Sequence, residues 1–446
     1  MGAKDPAKKR PQVIIIGGGF GGLTVAKSLG WVDVDVLIID KTNHHLFQPL
    51  LYQVASAALS PADIAYPIRE IVSDQSNTSV VMAEVTKIDT EKKEVWLAHD
   101  NVFPYDYLVI AVGARHSYFG HDEWEEYAPG VKSLQDALKI RNKILTAFEK
   151  AERCKTKEEA LKHLNFVIVG GGPTGVEIAG AIAEIAHQTM LKNFRKIDTE
   201  DTKIYLIEGA PHILSAYPKR LATKAHKALE KLGVEIITGT HVTDMNDQGV
   251  YLGDRFIQAD NIVWAAGNKA SPLLKTLNTE LKKTGHAIVN SDWSIPGHPE
   301  TFVIGDAAYF EAEDGRPLPG ISPVAIQGGR YVADVIMNKL PPEKRSPFKY
   351  FDKGSLATIG RAHAVARIGN FEFSGFFAWL IWVFIHIAYL IGFRSRFTVM
   401  MQWGFLYFTG RRGARLINKA VKDDPPHKDV VASEKAEEPP AKKDKE

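Results

Sequence analysis

Two glycine-rich runs carry the chemistry that the sequence announces most clearly: Gly17-Gly18-Gly19-Phe20-Gly21-Gly22 and Gly170-Gly171-Gly172-Pro173-Thr174-Gly175. Each follows a run of branched apolar residues, Val13-Ile14-Ile15-Ile16 and Phe166-Val167-Ile168-Val169. Each is answered downstream by an acid closing a second such run, Asp40 after Val36-Leu37-Ile38-Ile39 and Glu208 after Ile204-Tyr205-Leu206-Ile207. In this setting Gly-x-Gly-x-x-Gly reads as a dinucleotide site. Gly17 and Gly170 permit the tight turn, and Gly19 and Gly172 let a pyrophosphate approach the backbone. Gly22 and Gly175 let helix and strand pack closely. Phosphates then meet the unpaired N–H groups at the positive end of a helix. Asp40, with Lys41 beside it, is expected at the adenosine ribose of the first nucleotide. Glu208 would repel a 2′-phosphate, which favours NADH over NADPH in the second site. Asp40 lies eighteen residues beyond Gly22 but Glu208 thirty-three beyond Gly175, so the second helix must be extended or followed by an insertion.

Further residues decide which nucleotide goes where. Both units end on a strand and a small-residue turn, Ala111 and Gly113 in the first, Ala266 and Gly267 in the second. Only the first unit has a further element, Thr301-Phe302-Val303-Ile304-Gly305-Asp306. An aspartate there can hydrogen-bond the ribityl chain of a flavin. A helix opening at Ser322-Pro323, with Ala325 in its first turn, would aim its positive end at the flavin's N1–C2 carbonyl region. The first site is therefore expected to bind FAD through Gly17, Gly19, Phe20, Gly21, Gly22, Asp40, Lys41, Ala111, Gly113, Gly305, Asp306 and Ala325. The second is expected to bind NADH through Gly170, Gly172, Pro173, Thr174, Gly175, Glu208, Ala266 and Gly267. Glu177, in the first turn of the second helix, reads either as a carboxylate facing the helix dipole or as a group facing the nicotinamide carboxamide or ribose. The chemistry is hydride transfer between the two nucleotides.

These sites need an α/β fold with two Rossmann-like dinucleotide-binding domains, the second inserted in the first, followed by a C-terminal membrane-associating helical segment. The expected boundaries are 12–125 with 285–345 for the FAD domain and 126–284 for the NADH domain. Residues 346–418 form a C-terminal region, and 419–446 a Lys-, Glu- and Pro-rich tail expected to be disordered. The length of 446 residues calls for two or three domains. A net charge of +2 gives no reason to expect nucleic acid as a partner. The single cysteine, Cys154, removes intrachain disulfides, a cysteine-based metal site and a redox dithiol; no metal is expected. Residues 1–11 are basic and polar, unlike a signal peptide.

Residues 376–393 and 397–408 are almost wholly apolar, with His386 the one imidazole and with Arg394, Arg396, Arg411, Arg412 and Arg415 around them. A spanning helix, a buried hairpin and an interfacial hairpin compete for this stretch. The interfacial reading is favoured: it sets Trp379, Trp382, Tyr389, Trp403 and Tyr407 at head-group level and brings the arginines of 376–415 to lipid phosphates.

With these residues placed, the chain resembles the two-dinucleotide-binding-domain flavoproteins over residues 12 to about 417. Within them it is similar to the type II NADH:quinone oxidoreductases, single-subunit respiratory NADH dehydrogenases that do not pump protons. Four features carry the resemblance. His44-His45-Leu46-Phe47-Gln48-Pro49-Leu50-Leu51-Tyr52 holds the family's Phe-x-Pro-Leu-Leu element beside the flavin, which adds Pro49 to the FAD contacts. The run from Gly170 ends on Glu177, the family's nicotinamide-site glutamate. The segment Leu318 to Tyr331 has Ser322-Pro323 where some members carry Ala-Gln, and keeps Gln327 as a quinone contact. The fourth feature is the arginine-flanked apolar C-terminus. The resemblance implies that NADH reduces non-covalent FAD, which reduces membrane quinone to quinol. It places Glu177 and Gln327 as the catalytic positions and the enzyme on the cytoplasmic face of a bacterial inner membrane, and it admits a homodimer. No residue stands out as the proton donor to quinone. A soluble ferredoxin-type reductase has no use for the apolar segment, and the near-neutral charge disfavours a signalling flavoprotein of the apoptosis-inducing-factor kind.

Overall fold

The computed structural model describes residues 10–98 and 101–417. The chain enters through strand β1 (Gln12–Ile16), helix α1 (Phe20–Ser28) and strand β2 (Asp35–Asp40). A short helix α2 (Leu51–Ala55) precedes β3 (Thr78–Met82) and β4 (Tyr107–Ile110). Strand β5 (Ala114–His116) leads out, and helix α3 (Leu134–Arg153) begins at a capping box in which Ser133 and Asp136 exchange hydrogen bonds. The second unit runs β6 (Asn165–Val169), α4 (Pro173–Glu184), β7 (Lys203–Glu208), α5 (Lys219–Lys231), β8 (Val234–Thr238) and β9 (Asn261–Trp264). Strand β10 (Asn268–Ala270) returns antiparallel along β5, so a two-stranded ribbon joins the units. Then come β11 (Ser294–Ile295), β12 (His298–Val303) and helix α6 (Ser322–Met337).

The first sheet has the order β11-β12-β4-β1-β2-β3 and the second β8-β7-β6-β9. All pairings are parallel except β11 with β12. Branched apolar strands suit this layout because both sheet faces are covered; Val13, Ile14, Ile15 and Phe166, Val167, Ile168 are fully buried. The thirty-three-residue gap before Glu208 is explained twice over. A π-helical turn, Ile185–Thr189, prolongs α4, and residues 190–202 add an irregular connection before β7.

The units exchange chain earlier than the expected boundaries at 126 and 285. Tyr118, Trp124 and Ala128 pack in the core under the second sheet, whereas Ala270, Leu274 and Leu277 pack in a core under the first. The ribbon of β5 and β10 is the crossing point. Residues 47–59, expected in the FAD domain, bury Phe47, Leu50, Tyr52 and Leu59 in the core of α3 and α4.

The C-terminal region is not simply helical. An antiparallel sheet of β13 (Ser355–Thr358), β14 (Ala364–Ile368) and β15 (Phe371–Gly375) precedes helices α7 (Phe376–Tyr389) and α8 (Phe393–Thr409). Among the described residues no helix is long and apolar enough to cross a membrane. The hairpin packs one face inward: Trp382 and Trp403 are only 2% and 7% exposed, so neither stands at head-group level as expected. Its other face shows Phe377, Phe384, Phe393 and Phe408, each at least 74% exposed. Arg412 also turns inward. It is buried against Glu184 at 2.9 Å and the Ser56 hydroxyl at 2.8 Å, away from any lipid phosphate. The expected disordered tail, 419–446, lies outside the described residues.

Candidate active site

Both glycine turns have the geometry that a pyrophosphate needs. Gly17 and Gly170 hold φ of 103° and 106°, where a side chain is strained. A Cβ on Gly22 would run into the Gly17 carbonyl oxygen, and one on Gly175 into that of Gly170, whereas one on Gly19 or Gly172 would meet nothing within 4 Å. The first two demand close packing and the last two face open space. Gly19 and Gly172 cap α1 and α4 without any side-chain hydrogen bond, which leaves the first-turn N–H groups free for an anion.

The two acids brace these turns. Asp40 accepts from the Gly18 N–H at 2.6 Å through Oδ2, and from the Thr42 N–H and hydroxyl at 2.7 and 2.8 Å through Oδ1. Glu208 repeats the arrangement, accepting from the Gly171 N–H at 2.5 Å and the Ala210 N–H at 2.7 Å. Each carboxylate is thus oriented by the loop whose nucleotide it would face.

One cavity of about 2030 Å³ joins the two units. That exceeds the ~1,000 Å³ at the upper end of single-ligand pockets. Gly17, Gly19, Phe20, Gly21, Asp40, Lys41, Pro49, Ala111 and Gly113 line it from one side, and Gly305, Asp306 and Ala325 from another. Of the expected FAD residues only Gly22 lies behind the wall, as a packing glycine. Helix α6 opens on this cavity with Ser322 and Pro323, and no side chain caps its N-terminus. These features fit a flavin dinucleotide. Of the expected NADH residues Pro173, Thr174 and Glu177 reach the same space, and Ala216 and Tyr217 of the second unit join them. Gly170, Gly172, Gly175, Glu208, Ala266 and Gly267 stay outside it, at the carboxyl ends of β6, β7 and β9.

Gln327 does not take its expected place. Its amide donates to the Phe351 carbonyl and accepts from the Phe351 N–H, both at 3.0 Å, and it is absent from the cavity wall. It pins the strap before β13 instead.

Glu177 lines the cavity and is half-buried. Its one hydrogen bond comes from the Thr358 N–H at 3.4 Å, and burial without a cation pushes its pKa up to about 8. Tyr52 stands beside it, bonded to the Thr358 hydroxyl at 3.0 Å and accepting from the Gln53 amide at 2.9 Å. Burial, then the nearby Glu177, raise the Tyr52 phenol as well. Sequence reasoning did not bring Tyr52, Tyr217, Lys132 or His386 to the site and expected Tyr389 at head-group level; all five line the cavity. Lys132 lies 3.9 Å from Asp306. His386 had one signal, as the only imidazole in an apolar stretch.

One dinucleotide turn lining a cavity that the start of a second dinucleotide helix also reaches is the layout of a two-nucleotide flavoprotein. In keeping with this, residues 11–329 match the family model for pyridine nucleotide-disulphide oxidoreductases, and residues 353–412 match the NDH2 C-terminal domain. Among curated proteins the chain is 46% identical to the type II NADH:quinone oxidoreductase Ndh of Mycobacterium tuberculosis, covering 91% of this chain and 90% of that one. It is 30% identical to a type II NADH:quinone oxidoreductase of Staphylococcus haemolyticus, covering 83% and 92%. Its fold superimposes on NDH2 from Plasmodium falciparum in complex with NADH with a TM-score of 0.83 at 22% identity, over 91% of this chain and 99% of that one. The chain belongs to the type II NADH:quinone oxidoreductases.

Proposed function

We propose that the chain oxidises NADH and reduces a membrane quinone, NADH + H⁺ + quinone giving NAD⁺ + quinol, at the joint cavity. The observation that carries this reading is the continuity of that cavity. The FAD-side residues Gly17, Asp40 and Asp306 share it with Pro173, Thr174 and Glu177 of the second unit. FAD supplies the two-electron store between donor and acceptor. The first glycine turn and the α1 N-terminus would hold its pyrophosphate and Asp306 its ribityl chain, and the α6 N-terminus would stabilise negative charge on its ring. The second turn and Glu208 hold NADH, and the α4 N-terminus presents Glu177 to the nicotinamide end. Glu177 also holds a proton at neutral pH for the acceptor, because burial keeps its carboxyl neutral.

The outer face of α7 and α8 supports docking on lipid. Phe377, Phe384, Phe393 and Phe408 project from it, and Arg394 and Arg411 are exposed at its edges. An aromatic face with flanking cations suits an anionic bilayer surface. The cytoplasmic face is the side on which NADH is found.

The test is steady-state NADH oxidation by the membrane-bound chain with a short-chain quinone. Quinone-dependent turnover is expected. FAD that is reduced by NADH but not reoxidised by quinone would overturn the acceptor assignment.

A further inference from the structure

Helix α7 brings His386 to the hairpin wall of the cavity, beside Phe47, Ile385 and Tyr389. Its Nδ1 lies 2.7 Å from the Trp382 carbonyl oxygen. A carbonyl can only accept, so Nδ1 carries the ring proton and Nε2 of the neutral ring is a bare lone pair. The ring is held in that orientation. It stacks on the Trp382 indole at 4.0 Å and meets Phe47 edge-on at 6.2 Å, and a flip would forfeit the Trp382 bond. Among the described residues Nε2 has no hydrogen-bond partner. Burial lowers the imidazole pKa to about 4, so the ring does not become a donor near neutral pH. The neighbouring Tyr389 hydroxyl accepts from the Lys353 ammonium at 2.5 Å.

A fixed lone pair in a largely apolar wall favours a ligand that donates. The carbonyl oxygens of a quinone only accept; the hydroxyls of a hydroquinone donate. We propose that His386 Nε2 accepts the hydroxyl hydrogen of bound hydroquinone, so that this wall is a subsite selective for the reduced ring over the oxidised one. The subsite rests on the quinone reading above and deepens it. No electron or proton is transferred in forming this bond. It holds the product hydroxyl, and so biases the bound couple toward reduction.

The experiment compares the wild-type full chain with His386→Phe, which keeps a stacking ring but has no lone pair, and His386→Gln, whose amide oxygen can accept. Two constants are read for one short-chain quinone pair: KM for the quinone and the inhibition constant of its quinol. The expected result is a rise of about five- to tenfold in the quinol constant for His386→Phe, the worth of one hydrogen bond. KM for the quinone should stay within about twofold, and His386→Gln should recover part of the loss. Parallel rises in both constants would make His386 a shape-filling residue, and no change in either would place the ligand elsewhere; both overturn the subsite. If the wild-type chain turns over no quinone, the function fails separately. Equilibrium dialysis of the quinol against wild type and His386→Phe then decides the subsite, and equal binding sinks it.

Discussion

Glu177 keeps its proton because, among the described residues, it receives one backbone N–H and faces no cation. Its folded pKa of about 8 stands above the ordinary 4.5 of a free glutamate. Between those values the folded chain binds a proton that the unfolded chain has released. The stability that this neutral carboxyl allows is complete below pH 4.5 and is lost as pH rises toward 8. Glu177→Gln is neutral throughout, so its melting temperature should gain on wild type between pH 5 and pH 8. A pH-independent difference would show that Glu177 is ionised over the whole range. The same variant should bind NADH but lose about a hundredfold or more in quinone turnover, the usual worth of a positioned proton donor. Glu208→Ala should improve NADPH use and lower the NADH/NADPH preference by about tenfold, with weaker NADH binding because Gly171 and Ala210 lose their acceptor. An unchanged ratio would remove Glu208 from nucleotide choice. At this scale glycine spacing was readable because turn geometry is local. Glu177's environment was not, since Thr358 arrives from a strand 181 residues away. Gln327 was misplaced for a simple reason. Two residues along a helix is a rotation of about 200°, so a helix that turns Ala325 to the cavity turns Gln327 to Phe351.

Helix α7 hid its packing from the sequence because apolar residues surround it on all sides, and α8 because Arg394, Arg396 and Gln402 mark no clean polar face; periodicity then cannot say which face is inward. The polar atoms settle it. Trp403 Nε1 donates to Gln53 Oε1 at 2.6 Å, and Arg412 beyond α8 reaches Glu184 at the end of α4. Glu184 also accepts from the Arg361 N–H, so one carboxylate ties the hairpin, the β13–β14 turn and the nicotinamide-side helix together. Arg412→Ala would leave this carboxylate buried without its cation. A loss of about 3–5 kcal/mol in denaturant-induced unfolding is expected. Pairing Glu184→Leu with Arg412→Met removes both charges and should cost markedly less. Equal losses in the single and double variants would mean that packing, and not the unpaired charge, sets the effect. The arginine pattern at the C-terminus was thus legible as composition, but its division into Arg394 and Arg411 facing out and Arg412 facing in depended on tertiary contacts.

On the scale of the whole molecule, the insertion of one dinucleotide unit into another was readable from the duplicated strand–turn–acid pattern, and it accounts for the position of the cavity. The β5–β10 ribbon carries the chain out and back, and each unit then opens its helix N-terminus toward the other. The small sheet before α7 was not readable, since three short strands after a loop-rich stretch give little periodic signal. Its role bears on how membrane docking is tested. Truncation at Phe376 would strip Trp382 and Trp403 from the core, and would take Trp403 from Gln53 and the Arg412 cation from Glu184, so loss of binding would be confused with loss of fold. Substitution on the outer face separates the two. Phe377→Ser, Phe384→Ser and Phe408→Ser together alter side chains that are at least 74% exposed. Each withdraws an aromatic ring worth about 1.5–3 kcal/mol when fully removed from water. Even partial insertion predicts a fall of about a hundredfold or more in co-sedimentation with phosphatidylglycerol-containing vesicles. Oxidation of NADH by a water-soluble quinone analogue should be retained, and oxidation by a long-chain quinone confined to the bilayer should fall. Raised salt should weaken wild-type binding further, because Arg394 and Arg411 contribute through screened attraction. Undiminished vesicle binding by the triple variant would place the membrane contact away from this hairpin.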